Sequence, residues 1–96
     1  MKAADCKTMA EIRAEIDRLD AALVALFAER AGYIDRAAQI KGPLAMPARI
    51  EARVEEVVMN VGDHARAAGL DADLYQAIWR QVIDWSIARE EKVLGI

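Results

Sequence analysis

The residues most able to take part in chemistry are three cations in the first half of the sequence, Arg13, Arg30 and Lys41. Arg30 interrupts an apolar series between Leu26 and Tyr33, where a bare charge is costly to bury and needs an anionic partner. Lys41 follows eleven positions later, which on a helix places it on nearly the same face, about 16 Å away. Two long cationic side chains that lean toward each other could bind a small anion, such as a compact dicarboxylate.

Arg13 cannot reach that anion within the same chain. It lies seventeen positions before Arg30, about 25 Å along a helix axis, and is rotated well off the shared face. In an antiparallel homodimer the start of one helix lies near the far part of its partner, so Arg13 of the partner could complete the site. The alternative is that these are ordinary surface cations, with Arg30 extending its charge to solvent and Arg13 paired with Asp17.

Two positions in the last part of the sequence could add a polar contact. Ser86 and Glu90 are spaced i,i+4 and therefore share a helix face. A carboxyl group among apolar neighbours favours its neutral form because burial penalises charge, and a protonated Glu90 could donate a hydrogen bond. The alternative is an exposed Glu90 in the charged run 89–92. Arg53 is a weaker candidate, since it could simply pair with Glu56 on a helix surface.

The elements that must position these side chains are three predicted helices. Thr8 and Glu11 form a capping-box pattern before a helix that we expect to run from about residue 9 to about residue 41, where Gly42-Pro43 follows. Its apolar series alternates steps of four and three, with Arg30 as one member: Ile12, Ile16, Leu19, Leu23, Leu26, Arg30, Tyr33, Ala37 and Ile40. Pro47 is predicted as a first-turn proline of a second helix ending near Gly69, and Asp71 as the cap of a third ending near Leu94.

Each of the two shorter helices has one predicted apolar side. These sides consist of Ile50, Val54, Val57, Val58 and Val61 on the second helix, and Leu74, Ile78, Val82, Trp85 and Ala88 on the third. The predicted fold is all-α, with one long and two medium helices in a single domain over residues 1–96.

The predicted first helix is too long for a compact monomer. It would extend about 50 Å, whereas a domain of this size has a radius of gyration of only about 13 Å. Its apolar series continues along the whole length, which indicates a second copy packed against it in an intertwined antiparallel homodimer. The alternative is a lopsided three-helix bundle in which the long helix breaks near Gly32.

Composition excludes several classes of function. A net charge of −3 disfavours sequence-independent binding of nucleic acid. With Cys6 and His64 each the sole residue of its type, neither an intrachain disulfide nor a nitrogen–sulfur metal site is expected. No secretory signal or stretch of about 20 apolar residues is present, so we expect a cytoplasmic protein that does not enter a membrane.

Five segments in a fixed order carry a family resemblance. They are Ile12-Arg13-x-x-Ile16-Asp17-x-Leu19-Asp20, Leu26-x-x-x-Arg30, Ala37-Ala38-x-Ile40-Lys41, Pro47-x-Arg49-x-x-x-Arg53, and Gly69-Leu70-Asp71 leading into the stretch from Ser86 to Glu90. Together the segments resemble the small all-helical chorismate mutase family and its close branch, the isochorismate-pyruvate lyases. The resemblance covers nearly the whole chain and implies an intertwined three-helix dimer with two active sites.

The resemblance also implies a role for each candidate residue. The two substrate carboxylates would be bound by Arg13 of the partner chain and by Arg30, and Lys41 would contact a carboxylate and the ether oxygen. Glu90 falls where many members have a glutamine that donates to the same ether oxygen. Ser86 matches a serine that contacts a carboxylate.

The second helix shows both a match and a departure. Arg53 matches a cation on the second helix of the family. At the positions where mutases usually have acidic residues near the substrate hydroxyl, this sequence has Ile50 and Val54, as the lyase branch tends to.

The activity that the resemblance implies is the rearrangement of chorismate to prephenate in aromatic amino-acid biosynthesis, without a cofactor. Because Glu90 replaces glutamine, we expect activity to require its protonated form and to decline as the pH rises. One alternative is an isochorismate-pyruvate lyase that forms salicylate and pyruvate. An alternative of another class is a non-catalytic helical dimer, since a fold alone does not establish activity.

Overall fold

The computed structural model describes residues 1–96 and contains three α-helices and no strand. A short 3-10 helix covers Ala3–Asp5, followed by α1 over Met9–Leu44, α2 over Glu51–Ala67 and α3 over Ala72–Leu94. The all-α prediction of one long and two shorter helices is confirmed. The long helix continues through Gly32, so the alternative with a break there is wrong. None of the helices is both long enough and apolar enough to cross a membrane.

The chain divides into two compact units, Met1–Gly32 and Tyr33–Ile96. In the first unit, the Thr8 hydroxyl accepts a hydrogen bond from the Glu11 backbone N–H at 3.2 Å, and α1 begins at Met9 as predicted. Large apolar side chains of this unit are exposed: Met9, Ile16, Leu19, Leu23, Val24, Leu26 and Phe27. Their exposure leaves a long apolar surface along the first unit.

The second unit contains the hydrophobic core. Helices α2 and α3 run antiparallel, as shown by the contacts of Glu55 with Arg80 and of the Val58 carbonyl with Gln76. The core consists of Ala48, Val54, Val58, Ile83 and Ile87, with Val57, Trp79 and Leu94 packed against it. The predicted apolar side of α2 is therefore the side that packs.

Helix α1 ends three residues later than predicted, because its last turn accommodates Pro43. The N–H of Ala45 bonds to the Gly42 carbonyl at 3.0 Å and that of Met46 to the Lys41 carbonyl at 3.1 Å. This pair of bonds is a Schellman motif, with Ala45 in the left-handed conformation at φ 55°. Helix α2 ends the same way at Gly69, as predicted.

The predicted start of α2 at Pro47 is wrong. The helix begins at Glu51, after Ile50 in an extended conformation. The Ala48 carbonyl accepts a hydrogen bond from the Lys41 ammonium at 3.0 Å, instead of the helical backbone bond that an earlier start would require. The contact between Lys41 and Ala48 is thus the reason that α2 begins later in the sequence than predicted.

The cap and the end of α3 are as predicted, but its buried side is not. Asp71 accepts from the backbone N–H groups of Asp73 and Leu74, and the helix ends at Leu94. The buried residues are Ile83, Ser86, Ile87 and Glu90, whereas Leu74, Ile78 and Trp85 of the predicted apolar side are exposed. The stripe of α3 that packs includes the polar residues Ser86 and Glu90. A prediction based on apolar spacing therefore selected the neighbouring, more apolar stripe.

Candidate active site

Lys41 and Glu90 meet in the second unit, although they are distant in the sequence. Lys41 Nζ lies 2.8 Å from Glu90 Oε1, and the two side chains are only 16% and 7% exposed. The Lys41 ammonium also donates to the Ala48 carbonyl at 3.0 Å. A partly buried cation, a buried carboxylate and a backbone carbonyl therefore converge at one point of the fold.

The surroundings of Glu90 differ from the expected ones in one respect. Its burial is as expected, and the alternative of an exposed glutamate is wrong. Its neighbours are not only apolar, however, because the Lys41 ammonium faces it at 2.8 Å. Oε1 is buried and has no aligned hydrogen bond, so its contact with Lys41 is an ion pair alone. Glu90 Oε1 is therefore a buried hydrogen-bond acceptor that receives no hydrogen bond from the chain.

Ser86 lies one helical turn before Glu90 and is also buried. Its hydroxyl donates to the Val82 carbonyl on the same helix at 2.8 Å. Both residues lie on the buried stripe of α3, as their i,i+4 spacing predicted. The hydroxyl and the carboxyl group are therefore presented from the same side of the helix.

The other candidate cations lie elsewhere in the sequence and differ in exposure. Arg13 and Arg30 belong to the first unit, where Arg13 is exposed and Arg30 is partly buried. Arg13 does not form the alternative ion pair with Asp17. Arg53 is exposed and pairs with Glu56 one turn later on α2, as in the alternative considered for it.

Sequence reasoning missed two groups around this contact. One is the Ala48 carbonyl, which no side-chain pattern could indicate. The other is a bidentate pair in which Arg89 Nε and Nη2 donate to Asp35 Oδ1 and Oδ2 at 2.6 and 2.9 Å. These hydrogen bonds hold the pKa of the Asp35 carboxyl below its usual value and raise that of Arg89. Arg89 stood out only as part of a charged run, and no local signal links it to Asp35.

Comparison with known proteins identifies the family of this chain. The family described as chorismate mutase type II matches residues 12–91, which include all of the candidate site residues. The chain belongs to this family. A protein of Pseudomonas aeruginosa named isochorismate pyruvate lyase is 35% identical over 92 residues, which cover 92% of this chain and 86% of that protein.

Proposed function

We propose that this protein is a chorismate mutase that rearranges chorismate to prephenate in aromatic amino-acid biosynthesis. The observation that carries the proposal is the buried contact of Lys41 with Glu90 inside the segment that matches the family. A purely structural core would favour apolar residues there, because burying a charged pair costs solvation energy. The retention of both charges supports a site for a polar ligand.

The proposed reaction is a concerted intramolecular rearrangement, so it requires positioning and electrostatic stabilisation rather than a nucleophile. Arg30 and Arg13 of a partner chain would each bind one substrate carboxylate, and Ser86 would contact a carboxylate as well. Lys41 donates to the Ala48 carbonyl and forms an ion pair with Glu90 without an aligned hydrogen bond, so its ammonium group has further N–H donors. One of them would stabilise the negative charge that develops on the breaking ether oxygen.

The role proposed for Glu90 requires a hydrogen on its carboxyl group. An ionised carboxylate at this position would repel the ether oxygen. A neutral carboxyl group would instead donate a hydrogen bond to that oxygen. We therefore propose that Glu90 acts in its protonated form, while Lys41 contacts the substrate anion.

The proposed active form is an intertwined antiparallel homodimer of one-domain chains. The exposed apolar side chains of the first unit, among them Leu19, Leu23 and Leu26, support a second copy as their cover. The lack of an ion-pair partner for Arg13 within its own chain agrees with a role in the partner's site.

The relative in Pseudomonas supports a second candidate, an isochorismate-pyruvate lyase that forms salicylate and pyruvate. The apolar residues Ile50 and Val54 favour it too, and Val54 is part of the core. Both candidates would bind a similar dicarboxylate with the same cations.

One assay tests both candidates. The protein is incubated separately with chorismate and with isochorismate, and prephenate formation from the first is compared with salicylate and pyruvate release from the second. Faster turnover of chorismate supports the mutase, and faster turnover of isochorismate replaces it with the lyase. A folded dimer that converts neither substrate would be a non-catalytic module instead.

A further inference from the structure

Two consecutive residues of α3, one a cation and the other an anion, each form an ion pair with α1. Arg89 makes its bidentate bond to Asp35, and Glu90 approaches Lys41 at 2.8 Å. The charges are reversed between the two contacts, since α1 contributes the anion to the first and the cation to the second. The inference drawn from this pattern rests on the proposed function of the Lys41 and Glu90 site.

The two contacts constrain the helix in different ways. Neighbouring residues on a helix point about 100° apart, so contacts from Arg89 and Glu90 together limit both rotation and sliding of α3. The Glu90 contact alone is a point charge interaction without an aligned hydrogen bond at Oε1. The Arg89 contact has two directed bonds between a planar guanidinium and a carboxylate, which fix orientation as well as distance.

The Arg89 side chain also contacts the aromatic ring of Trp85. Its guanidinium carbon lies 5.2 Å from the centre of the Trp85 ring, one turn earlier on α3. A cation over an aromatic face is attracted by the ring, so Trp85 restricts the positions that Arg89 can adopt. The half-buried pair with Asp35 is therefore better ordered than an isolated surface ion pair.

We propose that Asp35 and Arg89 are positioning residues that hold the Glu90 carboxyl group in line with Lys41 for the reaction. Rotation of α3 that moved Arg89 toward Lys41 would bring like charges together, as would movement of Glu90 toward Asp35. The alternating charges thus favour one register of α3 against α1. Catalysis is sensitive to displacements of about 1 Å, so a loosened register lowers turnover even when the fold is kept.

The test compares Asp35→Asn with Glu55→Gln. Glu55 makes a matched bidentate pair with Arg80, at 3.2 Å for both bonds, but between α2 and α3. We expect both variants to have similar denaturation midpoints, whereas Asp35→Asn lowers kcat about tenfold with a smaller change in KM, and Glu55→Gln lowers neither. The exchange Asp35→Arg with Arg89→Asp restores an ion pair but removes both the alternation of charges and the Trp85 contact, so it should leave kcat low.

A second measurement does not depend on activity. The chemical shift of the Glu90 carboxyl carbon at neutral pH should move in Asp35→Asn and stay unchanged in Glu55→Gln. If Asp35→Asn alters neither kcat nor this shift more than Glu55→Gln does, the positioning role is wrong. A parent protein that converts neither substrate overturns the proposed function, while the carboxyl shift still decides whether Asp35 orients Glu90.

Discussion

At the scale of single residues, Lys41 and Glu90 depend on each other. Both side chains are largely buried, so each charge has lost most of its hydration and is compensated mainly by the other. Removing one partner leaves a buried charge that is uncompensated, whereas neutralising both removes the problem. The stability of the fold and the chemistry proposed for the site therefore involve the same two side chains.

The Lys41→Met variant should lose about 3 kcal/mol of unfolding free energy at neutral pH, because Glu90 is left as a buried anion. Adding Glu90→Gln to this variant should restore much of the loss, since a neutral amide replaces the carboxylate. Denaturant unfolding of the parent, both single variants and the double variant gives the coupling energy. A cost below about 1 kcal/mol for Lys41→Met would contradict the mutual dependence of the two charges.

A second residue-scale prediction concerns the pH dependence of catalysis. If protonated Glu90 donates to the substrate, kcat/KM should decline as the pH rises, because the protonated fraction of Glu90 decreases. Glu90→Gln keeps a neutral donor at every pH and should flatten this decline. The measurement is the pH–rate profile of both proteins with the same substrate. Superimposable profiles would remove Glu90 from the proposed mechanism.

At the scale of elements, the end of α1 determines where Lys41 can reach. Its three-residue extension past Lys41 and the extended segment before Glu51 bring the Ala48 carbonyl to the ammonium group. The turn between them requires Ala45 to adopt a left-handed conformation at φ 55°. The equivalent positions after α2 and α3 are Gly69 and Gly95, which have no Cβ to strain.

Replacing Ala45 with Gly should therefore stabilise the protein by about 1 kcal/mol, because the strain of the left-handed residue exceeds the extra entropy of glycine in the unfolded chain. The matched control is Gly69→Ala, which should destabilise by a similar amount. Thermal or denaturant unfolding measures both. Activity of Ala45→Gly should equal that of the parent, since the Lys41 contacts are retained. If Ala45→Gly proved less stable than the parent, the left-handed conformation of Ala45 would not be a source of strain.

At the scale of the whole molecule, the proposed function depends on a second copy of the chain. The first unit exposes Leu19, Leu23 and Leu26, at 50%, 52% and 61% of their surface. Covering apolar surface of this kind is the usual driving force for association of subunits. If Arg13 acts in the partner's site, dimerisation is also a requirement of the chemistry.

Subunit mixing tests that requirement. Arg13→Ala and Arg30→Ala should each be nearly inactive as homodimers, because every site then lacks one cation. After the two are unfolded together and refolded, half of the dimers are hybrids with one intact site, so activity should return to about one quarter of the parent. Each variant refolded alone provides the control. Failure of the mixture to regain activity would contradict a site shared between chains.

Local patterns in the sequence determined much of the fold. Thr8, Asp71 and Gly69 mark helix ends through hydrogen bonds and backbone conformations within a few residues of each other, and those predictions are confirmed. The family resemblance is likewise confirmed, because it rests on residue types in a fixed order. The spacing of Ser86 and Glu90 also identified two buried residues on one face.

Only the tertiary structure decided which distant groups meet. The contact of Lys41 with Glu90 and Ala48, and that of Asp35 with Arg89, depend on the rotation and register of α3 against α1. The same packing decided that α3 buries the stripe containing Ile83 and not the one containing Trp85. Register results from many weak contacts between elements far apart in the chain, so no spacing within one element reveals it.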